Sequence, residues 1–119
     1  MKKTLIIGAS VNPSRYAYKA ASKLVNNGFS ICLLGSRVGE LCGEKIHDTL
    51  FEFKNVHTVT MYIRPELQTI YYNYIISLKP ARVIFNPGTE NVDFYELLLQ
   101  NNILVEEQCT LVMLAMGIY

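Results

Sequence analysis

Thr4-Leu5-Ile6-Ile7-Gly8-Ala9-Ser10-Val11-Asn12-Pro13-Ser14-Arg15 contains the change of pattern that decides the fold. The apolar run from Thr4 to Ile7 is too short for a helix and stops at a glycine, so it reads as a buried strand. Beyond the turn, Ala17, Ala20, Ala21, Leu24 and Val25 recur with a helical period, and Gly28 stands where such a helix would stop. Asn12 is placed as the N-cap, and Pro13 at the first helical position, where its missing N–H costs nothing. A strand, a glycine turn and a helix in this order open a doubly wound sheet, and the turn is where phosphate sits in such units.

The same alternation continues outward. Phe29 to Leu34 reads as a second buried strand, Gly35 to Gly43 as a loop, Glu44 to His47 as a short edge strand and Thr49 to Phe53 as a single turn. Val56 to Ile63 is the next strand. Pro65 opens the clearest helical stripe of the chain, Leu67, Ile70, Tyr71, Tyr74, Ile75 and Leu78. Ala81 to Phe85 is a strand broken by Asn86-Pro87-Gly88. Val92, Phe94, Tyr95, Leu97 and Leu98 form a third helix ended by Asn101-Asn102, and Ile103 to Glu106 is the last strand. The strands are apolar on successive residues, which means burial on both faces. The expectation is an α/β, Rossmann-like, doubly wound and mostly parallel sheet of five or six strands, with helices on both faces, in a single domain over 1–119.

Composition sets the outer limits. The chain has 119 residues, of which 50% are hydrophobic and 18% charged, which argues for a filled core and against disorder. Eleven basic and ten acidic residues give a net charge of +1, so there is no bulk electrostatic case for nucleic acid or an anionic membrane. Any anion site must be local. Cys32, Cys42 and Cys109 are odd in number and widely spaced, which disfavours a zinc ribbon or disulfide scaffold and suits reduced thiols in a cytoplasmic protein. The N-terminal apolar run ends at Gly8, too soon for a signal peptide, and no apolar run reaches the length of a membrane span.

Ligands of doubly wound sheets bind beyond the carboxyl ends of the strands. Four loops should meet there: Gly8 to Arg15, Gly35 to Gly39, Ile63 to Glu66 and Asn86 to Glu90. The second helix opens with Glu66 and the third with Glu90 and Asp93, whereas the first has no acid in its opening turn and carries Arg15. Its N-terminus is therefore left for an outside anion. The loop lacks the dinucleotide pattern G-x-G-x-x-G, since Ser10 and Pro13 stand where glycines are expected. After the second strand, Gly35-Ser36-Arg37 replaces the acid that would hold the ribose of NAD. A cation there suits a nucleotide with an extra ribose phosphate, either NADP or coenzyme A. Arg64 and Pro65 border an adenine pocket or form a plain helix start. Asn86 and Gly88 face the reactive end of a ligand or form a bare turn with Thr89 as a cap.

No catalytic constellation emerges. His47 and His57 read as surface or packing histidines away from the ligand edge, no serine sits in G-x-S-x-G, and Cys109 lies near the site without a neighbouring histidine. Tyr72 points away from the apolar stripe and marks a contact surface, leaving a homodimer or protein partner open.

Gly-Ala-Ser-x-Asn-Pro-x-Arg at Gly8 to Arg15, Gly-x-Lys-Ile at Gly43 to Ile46 and the Arg64 to Glu66 helix start resemble the small CoA-binding domain proteins, single-domain relatives of the CoA-binding domain of succinyl-CoA synthetase alpha subunits. The resemblance runs over almost the whole chain. It implies a Rossmann-like domain that binds CoA or a related nucleotide. Because no acid–base pair is found, the first reading is a protein that binds CoA or an acyl-CoA without chemistry of its own. By that resemblance Gly8, Ala9, Ser10, Asn12 and Arg15 contact the phosphates and the start of the pantetheine. Arg37 meets the 3′-phosphate region, and Arg64 and Pro65 border the adenine; Ser36, beside Arg37, is a further candidate for the cofactor site. Two positions depart from the family: Gly35-Ser36 stands where Asn-Pro is usual, and Thr110-Leu111 follows Cys109 where Pro-Lys is common. The other readings are a small NADP-linked or acyl-CoA-handling enzyme and an interaction domain that has lost its ligand.

Overall fold

Leu5, Ile6 and Ile7 are almost completely buried, and they divide between two hydrophobic clusters. Leu5 and Ile7 pack with Ile75, Phe94 and Leu98, while Ile6 packs with Ala17, Ala21 and Leu24. Successive residues of a strand point to opposite faces, so this strand is covered on both sides. The computed structural model, which describes residues 2–119, places it in the middle of the sheet. In chain order the elements are β1 (Lys3–Ile7), α1 (Tyr16–Asn26), β2 (Ser30–Leu34), β3 (Gly39–Leu41), β4 (Glu44–His47) and β5 (Thr58–Met61). Then come α2 (Tyr72–Leu78), β6 (Arg82–Phe85), α3 (Val92–Gln100), β7 (Leu104–Glu107) and α4 (Thr110–Met116).

The sheet order is β3-β4-β2-β1-β5-β6-β7, and every pair is parallel except β3 with β4. The chain winds outward from β1 through β2 to β4, crosses back to β5 on the other side of β1, and winds outward again. The reversal between β1 and β5 is the switch point. The fold is Rossmann-like, with seven strands rather than five or six.

The extra strand is β3, inside the segment read as a loop. Cys42 (φ 53°) and Gly43 (φ 78°) join it to β4 in a two-residue hairpin with Leu41 opposite Glu44. Positive φ at both residues is what a type I′ turn needs, and cysteine is a rare first member of that pair. α4 was also unforeseen. Its seven residues are too few to display a full helical stripe.

Some boundaries follow sequence chemistry closely. α1 ends in a Schellman motif: Gly28 (φ 83°) donates to the Val25 carbonyl at 3.0 Å and Phe29 to that of Leu24 at 3.0 Å. Others move. α1 starts at Tyr16 with Arg15 as N-cap, so Asn12 and Pro13 lie outside it. Asn12 instead accepts hydrogen bonds from the Ser14 backbone at 3.0 Å and the Ser14 hydroxyl at 2.8 Å, an Asx turn that competes with helix. The stripe from Pro65 is broken into two 3-10 turns, Pro65–Leu67 and Thr69–Tyr71, before α2 begins. Leu67 and Ile70, expected in the core, are 48% and 72% exposed, and Gln68 is buried between them. Tyr72 does not mark an outer surface. It is half-buried, stacks on Phe94 with centroids 4.1 Å apart, and accepts a hydrogen bond from Asn91.

At the amino edge of the sheet, Arg82 is buried. Its Nε donates to Thr58 at 2.9 Å, its Nη1 reaches Glu106 at 3.2 Å, and its guanidinium lies 4.6 Å from the centre of the Tyr119 ring. Beside it, His57 Nδ1 is 2.7 Å from the Thr58 hydroxyl. Burial, then Lys2 and Arg82, lower the His57 pKa below its ordinary 6.5. The unfolded chain therefore takes up this proton at higher pH than the folded one. The contribution is complete above the unfolded value and lost as pH falls through the lowered folded value. Thermal unfolding between about pH 7 and pH 5.5 should show stability falling with pH in the wild type and a flatter profile in His57→Gln. Equal slopes would remove His57 from the account.

Candidate functional site

β1, β2, β5 and β6 deliver their exit loops to one edge, and the loops touch there. The Gly8 and Ala9 N–H groups both donate to the Leu34 carbonyl, at 2.9 and 3.0 Å, which ties the first loop to the end of β2. Gly8 has φ 96°, and a Cβ on it would lie 3.0 Å from Ile63 Cγ2 and 3.2 Å from the Tyr62 backbone. Its freedom thus serves the close approach of the β1 and β5 exits. Gly35 is tighter: a Cβ there would sit 2.3 Å from the Ala9 carbonyl oxygen. The Gly35-Ser36 departure therefore has a reason inside the chain, since the first loop crosses directly over Gly35.

The first loop is partly self-satisfied. Asn12 N–H donates to Ser10 Oγ at 3.1 Å, and Arg15 N–H to the Asn12 carbonyl at 3.0 Å. The start of α1 has no side-chain cap and no acid in its first turn. α4 also lacks an early acid, so this feature is not peculiar to α1. Elsewhere the acids have other tasks. Asn91, not Glu90, caps α3, accepting from the Phe94 N–H at 3.2 Å, and Glu90 accepts from the Gly88 N–H at 2.8 Å.

The arginines differ. Arg15 and Arg37 are exposed and have no ion pair or side-chain hydrogen bond among the described residues. Ser36, beside Arg37, is also exposed. Arg64 lies 3.2 Å from Glu66 in a surface pair, and Pro65 begins the first 3-10 turn. Gly88, with φ 91°, is exposed and its Cβ position is open space.

The Asn86 side chain is engaged inside the fold. It is 3% exposed, its Nδ2 donates to Thr60 Oγ1 at 2.7 Å and the Met61 carbonyl at 2.8 Å, and its Oδ1 accepts from the Thr110 N–H at 2.8 Å. Its carbonyl takes the Thr89 N–H and hydroxyl, so Thr89 braces the turn rather than capping α3. Asn86 therefore holds the edge together from below.

Two residues of this edge escaped the sequence reading. Tyr62 follows β5, its hydroxyl is buried beside the Thr110 and Thr60 hydroxyls, and burial pushes its pKa up. Gln68 is the second, hidden by the helical stripe that placed it on the outer side. Cys109 precedes α4 without a side-chain cap hydrogen bond and is half-buried, whereas burial pushes the Cys32 thiol up to about 12. His47 lies nearer this edge than expected, opposite Leu34 at the end of β2, but its ring packs 4.1 Å from Phe51 and 5.3 Å from Phe53.

A CoA-binding domain model matches residues 2–115. The chain belongs to the CoA-binding domain family. A crystal structure of an uncharacterised protein is 49% identical to this CoA-binding domain, with a TM-score of 0.97 over 100% of this chain and 98% of the other. A Thermus thermophilus protein is 21% identical, with a TM-score of 0.88 over 99% and 90% of the two chains. A conserved hypothetical protein from Pyrococcus furiosus is 20% identical, with a TM-score of 0.83 over 94% and 98%. The last two likenesses speak for the fold alone. No curated protein matches this domain. Among its described residues no helix is long and apolar enough to cross a membrane.

Proposed function

We propose that this domain binds CoA or an acyl-CoA across the β1–β5 switch point, with no chemistry of its own. The observation that carries the reading is the pair of unpartnered arginines, Arg15 and Arg37, on the two loops that cross at Gly35, beside the uncapped start of α1. Two cations and a helix N-terminus suit a ligand with several phosphates. In this reading the Gly8-Ala9-Ser10 turn, Asn12 and Arg15 receive the diphosphate, and Ser36 and Arg37 receive the 3′-phosphate. Arg64 and Pro65 border the adenine, and the Gly88 turn lies toward the thiol end. Asn86 holds that turn in place without touching the ligand. Reduced thiols and a cytoplasmic setting accord with this reading.

Thermal shift and calorimetry test it together. CoA at about 100 times its dissociation constant adds roughly 2.7 kcal/mol, and should raise the melting temperature more than NAD does. Arg37→Ala should weaken CoA by about 1.5–3 kcal/mol, less if the contact is wet, and leave dephospho-CoA almost unchanged. Equal shifts with CoA and NAD would overturn the ligand. Equal losses for CoA and dephospho-CoA would take Arg37 off the 3′-phosphate. NADP in the same screen addresses the alternative that Arg37 favours equally.

A further inference from the structure

Gln68 is fully buried at the junction of the two 3-10 turns, on a segment whose apolar neighbours Leu67 and Ile70 are turned outward. Its Nε2 donates to the Ile63 carbonyl at 2.9 Å and to the Thr89 carbonyl at 2.8 Å. Its Oε1 accepts from Asn91 Nδ2 at 3.0 Å, and the same Nδ2 donates to Tyr72 Oη at 2.7 Å. Ile63 is in the exit loop of β5 and Thr89 in the exit loop of β6. One side chain therefore ties together two loops that bear Arg64 and Gly88. The hydrogen bonds of the Gly8–Arg15 loop run instead to Leu34 and within the loop itself.

A side chain buried at this cost is explained by what it holds. A helix continuing from Pro65 would place Leu67 and Ile70 inside and Gln68 outside. The chain gives up that apolar burial and the regular helical bonds, and in exchange satisfies two loop carbonyls that a buried turn would otherwise leave unpaired. We infer that Gln68 is a positioning residue for the ligand site: it fixes the separation of the β5 and β6 exit loops, and with it the half of the site that receives the adenine and thiol ends. The inference rests on the CoA reading for the identity of the ligand. The loop coupling itself does not.

Gln68→Met keeps the length of the side chain and removes its amide. In the ligand-free variant, hydrogen exchange should rise together in segments 63–68 and 86–91, with segment 8–15 unchanged. CoA should bind at least about tenfold more weakly, since small misplacements of positioning groups have effects of that order. Inorganic pyrophosphate, a probe of the Gly8–Arg15 loop alone, should bind within about twofold of wild type. Exchange rising in only one of the two segments, or CoA and pyrophosphate weakening equally, overturns the assignment. Should Gln68→Met fail to fold, Gln68→Glu decides. Glutamate keeps an acceptor for Asn91 and regains a donor only when protonated. The ratio of variant to wild-type CoA dissociation constants should therefore shrink between about pH 8 and about pH 5, and a flat ratio overturns the role. If the wild type itself does not bind CoA, the ligand reading falls and the exchange result alone decides whether Gln68 couples the loops.

Discussion

Gly35→Ala is expected to destabilise the ligand-free protein by about 3 kcal/mol, lowering its melting temperature by roughly 10 °C. The added methyl would lie 2.3 Å from the Ala9 carbonyl oxygen and 3.1 Å from Ile46 Cγ2. The nearest atom is backbone, so no flexible side-chain end can swing aside. Relief requires moving Ala9, whose N–H donates to Leu34, or Gly35, whose N–H donates to the His47 carbonyl at 2.9 Å. Either shift loosens the junction of β1, β2 and β4. Gly28→Ala supplies the comparison. Gly28 has φ 83° with nothing near its Cβ, so alanine there incurs only left-handed strain, about 1 kcal/mol. Unfolding curves of the two variants measure the difference. A Gly35→Ala protein that melts as high as Gly28→Ala would mean that the Ala9 loop is free to move, and the crossing of the two loops that bear Arg15 and Arg37 would lose its support.

The contrast between these two glycines also explains how much the sequence could reveal. Gly28 was legible because its role is local: a helical period ends, and a residue that tolerates positive φ follows. β1, β2 and β6 were legible for a similar reason, since continuous apolar runs report burial on both faces wherever they occur. Gly35 was not, because its constraint comes from Ala9, a residue 26 positions away in the chain, whose carbonyl arrives only when the sheet has formed. The Pro65–Leu78 stripe misled for the opposite reason. Its period was sound, but the carbonyls of Ile63 and Thr89 drew the Gln68 amide inward and rotated Leu67 and Ile70 out. The candidate site divides along the same line. Its exposed cations, Arg15 and Arg37, could be read from charge and position. The buried polar groups, Gln68, Thr60, Thr110 and the Tyr62 hydroxyl, could not, because a polar residue in a strand or helix pattern does not announce its partner.

Asn86→Ala should cost the ligand-free protein about 3–5 kcal/mol, a loss that a residue whose only role was to touch a ligand would not produce. Alanine removes both donors of the amide and its acceptor. The Thr60 hydroxyl retains Thr110 Oγ1 at 2.8 Å, but the Met61 carbonyl and the Thr110 N–H each lose a partner on the Asn86 side chain. Each buried group left unpaired costs about 1–3 kcal/mol, and the Thr110 N–H belongs to the opening turn of α4. Urea unfolding without ligand reads this directly, since the midpoint should fall while the slope is retained. CoA affinity measured on the folded fraction should fall less than stability does, because Asn86 acts by holding the β6 exit to β5 and α4. Gly88→Ala should show the reverse order. The residue is exposed and its Cβ position is open, so the unliganded protein meets only backbone strain, while a ligand crossing the turn would meet the methyl group directly. An Asn86→Ala protein as stable as wild type that no longer binds CoA would transfer Asn86 from the scaffold to the binding surface.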